Sequence, residues 1–256
     1  MIALSVNLNK IALIRNSRDT TNPSVPAHAQ MCIDAGADGI TVHPRPDQRH
    51  IRAQDCFALA DMLSVEFNIE GNPFTGPRKS DREGVADYPG FMELVRDIRP
   101  AQCTLVPDGD DQLTSDHGFD LEKDGDRVAP VLAELKRLGI RTSLFMDPVP
   151  EQMALAAAVG ADRIELYTET YARAHKADNN TVDTVYQQFL AAAEAALDAG
   201  LGVNAGHDLD LHNLPRFADL PGLMEVSIGH HLTVDALRMG LANAVAAYQR
   251  ALGKTE

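Results

Sequence analysis

The residues best equipped for chemistry sit in short clusters. In TVHPRPDQRH, His43, Arg45, Arg49 and His50 crowd into eight positions, with Pro44 and Pro46 stiffening the turn between them. Imidazole is the natural proton carrier near neutral pH, and guanidinium offers a planar fork for a phosphate. Four such groups after one apolar run exceed what a folding role alone would ask for, although His50 taken singly reads equally well as a surface residue. Glu70 ends the run FNIEG. In a partly dry mouth its carboxyl would be raised toward a value useful for proton abstraction; the competing reading is a solvent-exposed loop residue. His207 follows VNAG, where Gly206 would let the backbone approach a ligand closely. Gly229-His230-His231 follow VSI and lead into HLTVDALRMG, a loop-to-helix step of the kind that cradles phosphate; its plain alternative is a turn glycine.

Two other chemistries are poorly supported. His43, Glu70, Asp147, Glu165 and His207 are a conceivable mixed ligand set, but no HxH or HExxH spacing supports a metal site, and none is expected. A serine nucleophile lacks its GxSxG elbow. Cys32, Cys56 and Cys103 are scattered without a CxxC pair, which fits a reducing compartment rather than a disulfide framework.

These groups must be positioned by a chain of 256 residues, 45% hydrophobic and 23% charged, with a formal net charge of -14. That balance opposes general binding to nucleic acid or to anionic membranes, so an anionic substrate would need a local positive site. No apolar run reaches the roughly 18 residues of a membrane span, and MIALSVNLNK does not read as a secretory signal. A cytoplasmic protein is expected, and the Asn179-Asn180-Thr181 sequon is read as chance.

Eight runs rich in apolar and β-branched residues recur at 4–9, 39–44, 66–71, 102–107, 141–147, 163–168, 202–207 and 223–230. Between them lie helical patterns such as AHAQMCIDAGA, VAPVLAELKRLG, PEQMALAAAVGA and TVYQQFLAAAEAALDAG, each reaching a glycine at or near its end. Alternating strands and helices imply parallel βαβ units, and eight in this length predict a closed (β/α)8 TIM barrel, one domain over 1–256. Neither GxGxxG nor GxxxxGK[ST] occurs to favour an open doubly wound sheet. Side-chain parity then separates Leu4, Val6 and Leu8 from Ser5, Asn7 and Asn9, and Ile40 and Val42 from Thr41, His43 and Arg45. It likewise sets Phe67 and Ile69 against Asn68 and Glu70, and Ile164 and Leu166 against Glu165 and Tyr167. The apolar sets should pack under helices and the polar sets face the axis, richest at the strand ends where barrels of this kind build active sites. Two long loops on that face, 71–90 and 108–120, read as lids, subunit contacts or mobile insertions.

Taken together, SVNLNKIALIRNSR, GADGITVHPRPDQRHI, FNIEG, TLVPD, ELYTETYA, VNAGHDLDLHN and SIGH closely resemble the pyridoxine 5'-phosphate synthase family from near residue 4 to about 248. The resemblance implies a cofactor-free, metal-free enzyme, an octamer of barrels, joining 3-amino-2-oxopropyl phosphate to 1-deoxy-D-xylulose 5-phosphate with release of phosphate and water. By motif, His43 and Glu70 match the family's proton acceptors and His207 its proton donor. Asn7 and Arg18, with Asp208, Gly229 and His230, match contacts to the amino-ketone phosphate; Arg45, His50 and Thr114 match contacts to the deoxyxylulose phosphate. Many members carry Asp-His where this chain has Asn9-Lys10, and Gly where it has Asp208; Lys10 would supply a replacement cation. The segment after Glu70 is also longer than in many relatives. The residues by themselves still admit a metal-dependent sugar-phosphate epimerase or aldolase on the same barrel, or a phosphate-binding protein without turnover.

Overall fold

The computed structural model describes residues 1–18, 20–109, 112, 114–177 and 181–254. The sequon asparagines 179 and 180 lie outside the described residues. Each apolar run becomes one strand: β1 (Ala3–Asn7), β2 (Gly39–Val42), β3 (Glu66–Gly71), β4 (Gln102–Leu105), β5 (Arg141–Met146), β6 (Arg163–Tyr167), β7 (Gly202–Gly206) and β8 (Leu223–Ile228). All pairings are parallel and follow chain order, and β1 closes on β8, making a (β/α)8 barrel.

Helices fill the returns: α1 (Asn9–Asn16), α2 (Val25–Asp34), α3 (Ala53–Met62), α4 (Phe91–Ile98), α5 (Leu121–Arg137) and α6 (Pro150–Ala158). After them come α7 (Glu169–Lys176), α8 (Val182–Asp198), α9 (Leu214–Phe217), α10 (His230–Met239) and α11 (Leu241–Ala251). The glycines read as helix stops do that work where φ is positive, as at Gly139 (φ 75°) after α5 and Gly200 (φ 81°) after α8.

Most strands stop short of the apolar runs that announce them. The run 4–9 pairs only as far as Asn7 because Asn9 already opens α1, and 223–230 ends at Ile228 because His230 opens α10. His43 and His207 likewise stand just beyond β2 and β7. The residues carrying chemistry therefore sit where the ladder has ended and the backbone is free to turn.

Parity holds. Leu4, Val6, Leu8, Ile40, Val42, Ile69, Ile164 and Leu166 are buried in the main hydrophobic core around the barrel. The axis is polar instead. Ser5 Oγ meets Thr41 Oγ1 at 2.6 Å, Asn68 Nδ2 donates to Thr41 Oγ1 at 3.3 Å, and Thr104 Oγ1 donates to Asn68 Oδ1 at 3.2 Å. Nearer the N-terminal end, Glu225 accepts from Gln102, Arg163 and Asn204, and burial pushes its carboxyl up to about 7. Buried polar groups persist only when partnered, so these cross-strand bonds are what makes a polar axis compatible with folding.

Candidate functional site

The C-terminal mouth of the barrel holds a cavity of about 530 Å3. The side chains singled out in the sequence line it, from Asn7, His43, Arg45, His50 and Glu70 to Thr114, His207, Asp208, Gly229 and His230. Arg18 does not; it is exposed just past the end of α1.

One side of the cavity holds a carboxyl–imidazole pair. Glu70 Oε2 lies 3.9 Å from His43 Nδ1. Asn7 Nδ2 donates to the same carboxylate oxygen at 3.3 Å, and Ser227 Oγ reaches Oε1 at 3.4 Å. Asn9 accepts the backbone N–H of His43 at 2.9 Å, while its own N–H is taken by Asn7 Oδ1. Two asparagines thus tie the end of β1 to both partners. Burial, with Asp108 nearby adding like charge, pushes Glu70 up to about 8. Burial, reinforced by Arg45, His50 and Arg49, holds His43 well below the usual imidazole range. At this distance an ion pair is geometrically allowed, but both shifts oppose charging: near neutral pH the pair is a carboxylic acid beside a neutral imidazole.

The loop after β2 forms a rim rich in basic side chains. Arg45 pairs with buried Asp108 and donates to Gln112 O at 3.1 Å, which also accepts from Arg49. Ser115 donates to the same Asp108 oxygen at 2.7 Å. His50 Nδ1 accepts the N–H of Ile51 at 2.9 Å, which leaves Nε2 as the protonated nitrogen. Burial and Arg45 push His50 down to about 3, so it acts as a neutral donor.

This loop is held from behind by residues that the sequence patterns did not flag. Asn16 Nδ2 donates to the carbonyls of Gln48, Arg49 and His50 at 3.2, 3.0 and 2.7 Å. Arg15 bridges Asp55 and His50 O. Gln48, buried and left-handed (φ 50°), accepts from Ala53 N at the start of α3 and donates to Ala86 O of the 71–90 loop at 2.8 Å. That loop, folded on itself by Arg78 and Tyr88, also sends Arg82 to Asn16 O.

His207 closes the opposite side. Its backbone is left-handed (φ 82°), as is that of Asp208 (φ 60°). Such conformations are costly for non-glycine residues and survive where surroundings enforce them. Here buried Thr168 donates to the carbonyls of Gly206 and His207, and Asn213 Nδ2 donates to Asp208 O. His207 Nε2 meets Thr114 Oγ1 at 2.9 Å, and its ring packs edge-on against Tyr167 at 5.0 Å. Tyr167, Phe145 and Val106 form an apolar wall inside the cavity.

Two glycines stand close against other side chains of the chain. A Cβ at Gly206 would stand 2.5 Å from Glu165 Oε1, so the missing side chain makes room for a buried carboxyl rather than for a ligand. At Gly229, a Cβ would come within 3.0 Å of Asn7, so this glycine admits the Asn7 side chain at the start of α10. Glu165 itself lines the cavity, held by Thr104, and burial raises it well above the carboxylate range. No group of three His, Cys, Asp or Glu residues close enough to hold a metal ion occurs among the described residues.

Comparison with known proteins decides the lineage. Residues 4–254 match the family model described as pyridoxal phosphate biosynthesis protein PdxJ. The chain belongs to the PdxJ family. A PdxJ relative from Xanthomonas campestris pv. campestris (strain B100), named pyridoxine 5'-phosphate synthase, is 57% identical over 249 residues, 96% of this chain and 94% of its own. One of the same name from Xylella fastidiosa (strain 9a5c) is 52% identical, covering 96% and 92%. Among solved structures, ligand-free tryptophan synthase from M. tuberculosis aligns at TM-score 0.59 and 14% identity over 98% of this chain and 92% of that one, a likeness of fold alone. Within this PdxJ member, parity already pointed Glu165 and Asn7 inward. Asn16, Gln48 and Thr168 carried no signal, because what they hold are backbone carbonyls distant in sequence.

Proposed function

We propose that this barrel is a pyridoxine 5'-phosphate synthase, joining 3-amino-2-oxopropyl phosphate to 1-deoxy-D-xylulose 5-phosphate with release of phosphate and water. The observation that carries the reading is the convergence of Glu70, His43 and His207 on one cavity that Lys10, Arg45 and Arg49 also line. In this reading Arg45, His50 and Thr114 take the deoxyxylulose phosphate. Asn7 and the Gly229-His230 start of α10, with Asp208 beside them, take the amino-ketone phosphate, and Arg18, outside this cavity, has no part in it within one chain. The N-terminal N–H groups of α10 suit an anion. Lys10, which lines the cavity, adds charge to it.

Imine formation, dehydration, phosphate elimination and ring closure all move protons at carbon and oxygen. Glu70 and His43 accept them; His207 donates. A protonated imine nitrogen beside Glu70 would favour its carboxylate, opposing the burial that otherwise keeps the proton on it. Glu165, a neutral acid behind them, offers a hydrogen bond to developing negative charge. The wall of Val106, Phe145 and Tyr167 gives the forming ring a dry surface, and holding both substrates in one enclosure supplies the orientation that the condensation needs. Assembly as an octamer and a cytoplasmic location belong to the same proposal. No helix among the described residues is long and apolar enough to cross a membrane.

The test is direct. Purified, chelator-treated protein mixed with both substrates should form pyridoxine 5'-phosphate and inorganic phosphate, and light scattering should report eight chains. Absence of product from folded protein overturns the assignment.

A further inference from the structure

The residue after His207 is ill suited to hold a phosphate and well placed to act on the imidazole. We infer that Asp208 is a positioning residue for His207: its carboxylate accepts a hydrogen bond from the ring Nδ1–H, so that Nε2 faces Thr114 and the substrate, takes up a proton there and, as an imidazolium held by Asp208, donates it. This deepens the proposed function and rests on it.

Three observations carry the inference. First, His207 Nδ1 is sealed from solvent and has no aligned hydrogen-bond partner among the described residues. Asp208 Oδ2 stands 3.3 Å away, within ion-pair range, so a small rotation completes the bond. A buried ring nitrogen left unpartnered is destabilising, which favours that rotation. Second, the other nitrogen is already committed, because Nε2 lies 2.9 Å from Thr114 Oγ1 on the cavity side. The two contacts thread one ring between a carboxylate and a hydroxyl, the arrangement that selects a tautomer in acid–base dyads. Third, Asp208 adopts φ 60° immediately after His207 at φ 82°, and Asn213 holds its carbonyl. The doubled left-handed turn folds the carboxylate back onto the ring that precedes it.

Electrostatics support this division of labour. The His207 ring beside it, with His231 and His230 nearby, holds the Asp208 carboxyl below the usual carboxylate range, so it is ionised at neutral pH. An ionised carboxylate repels a phosphate and attracts an imidazolium. Other titratable or charged groups on this part of the cavity are Tyr167 on β6 with its partner Glu169 on α7, Asp116 in the β4 loop, Lys10 on α1 and His230 on α10, with His231 3.8 Å from Asp208. Asp208 is the member of this set within 3.3 Å of Nδ1.

The experiment pairs ring 15N NMR with steady-state kinetics on the full chain, His207 resonances being assigned with His207→Asn. In the unsubstituted protein the neutral ring should show a pyrrole-type Nδ1 and a pyridine-type Nε2. Asp208→Asn keeps a residue that tolerates the left-handed backbone, but its amide can donate to Nδ1. It should move the ring toward the Nε2–H tautomer and lower kcat at least tenfold, with KM for the amino-ketone phosphate changed less than about threefold. Asp208→Ala should give a tautomer mixture and a similar loss in kcat. Unchanged ring shifts in both variants, or a selective rise in KM with kcat intact, would overturn the inference and return Asp208 to the phosphate. The NMR result stands whether or not product forms, so failure of the proposed reaction is distinguishable from failure of this contact.

Discussion

Glu70 and His43 stand 3.9 Å apart at the ends of adjacent strands, near enough to exchange a proton through one intervening atom of substrate, and burial keeps both uncharged. A neutral acid–base pair can accept or release a proton without first undoing an ion pair. Replacing Glu70 by Gln, His43 by Asn or His207 by Asn should each lower kcat by about two orders of magnitude or more, typical of lost acid–base groups. Single-turnover assays with both substrates check this. Near-normal rates in all three would remove the proposed proton shuttle.

Burial of Glu70 also has a stability signature. Its carboxyl is raised from the ordinary 4.5 to about 8 in the folded protein. The folded state therefore binds the proton more tightly than the unfolded one. The associated stability is complete below about pH 4.5 and is lost as pH rises through 8. Glu70→Gln lacks this loss, so the variant should gain on the unsubstituted protein between pH 5 and pH 8.5. Urea denaturation at both pH values measures the difference, and parallel curves would contradict the shifted carboxyl.

Arg45 and Asp108 form a buried pair at the rim. Arg45→Met would leave a buried carboxylate without its cation, at a cost of about 3–5 kcal/mol, and should raise KM for the deoxyxylulose phosphate more than tenfold. Adding Asp108→Asn should restore much of the stability but not the KM. Thermal melts and initial rates on the double variant separate the two effects.

Asn16 touches no part of the cavity, yet it holds three consecutive carbonyls of the rim loop. Asn16→Ala should cost about 1–3 kcal/mol by stranding those oxygens. It should weaken phosphate binding several-fold while leaving the pH dependence of kcat in place. Inhibition by inorganic phosphate, measured against temperature, would report this.

The barrel and its polar mouth were legible because they follow from period-two alternation: Asn68 and Glu70 face the axis for the same reason that Phe67 and Ile69 do not. Strand ends were less legible, since Asn9 and His230 continue an apolar-looking run but open helices. The apolar wall of Phe145 and Tyr167 shows the limit of composition, because aromatic residues near a strand end look like ordinary core. Gly206 and Gly229 read as close-approach positions from sequence, and Glu165 and Asn7 of the chain itself are groups that approach them. Spacing in sequence cannot say which neighbour fills the gap left by a missing methyl. The Asn16 and Gln48 contacts lay beyond reach for a related reason, since each joins a side-chain amide to a backbone carbonyl more than thirty residues away.

The hairpin-like excursion between β3 and α4 leans on the barrel through Ala86 and Arg82, and both contacts end on residues that brace the rim loop. Insertions and deletions there need not disturb a single strand pairing. They would instead slacken or tighten the collar around Arg45 and His50, while Glu70, His43 and His207 stay where the strands set them.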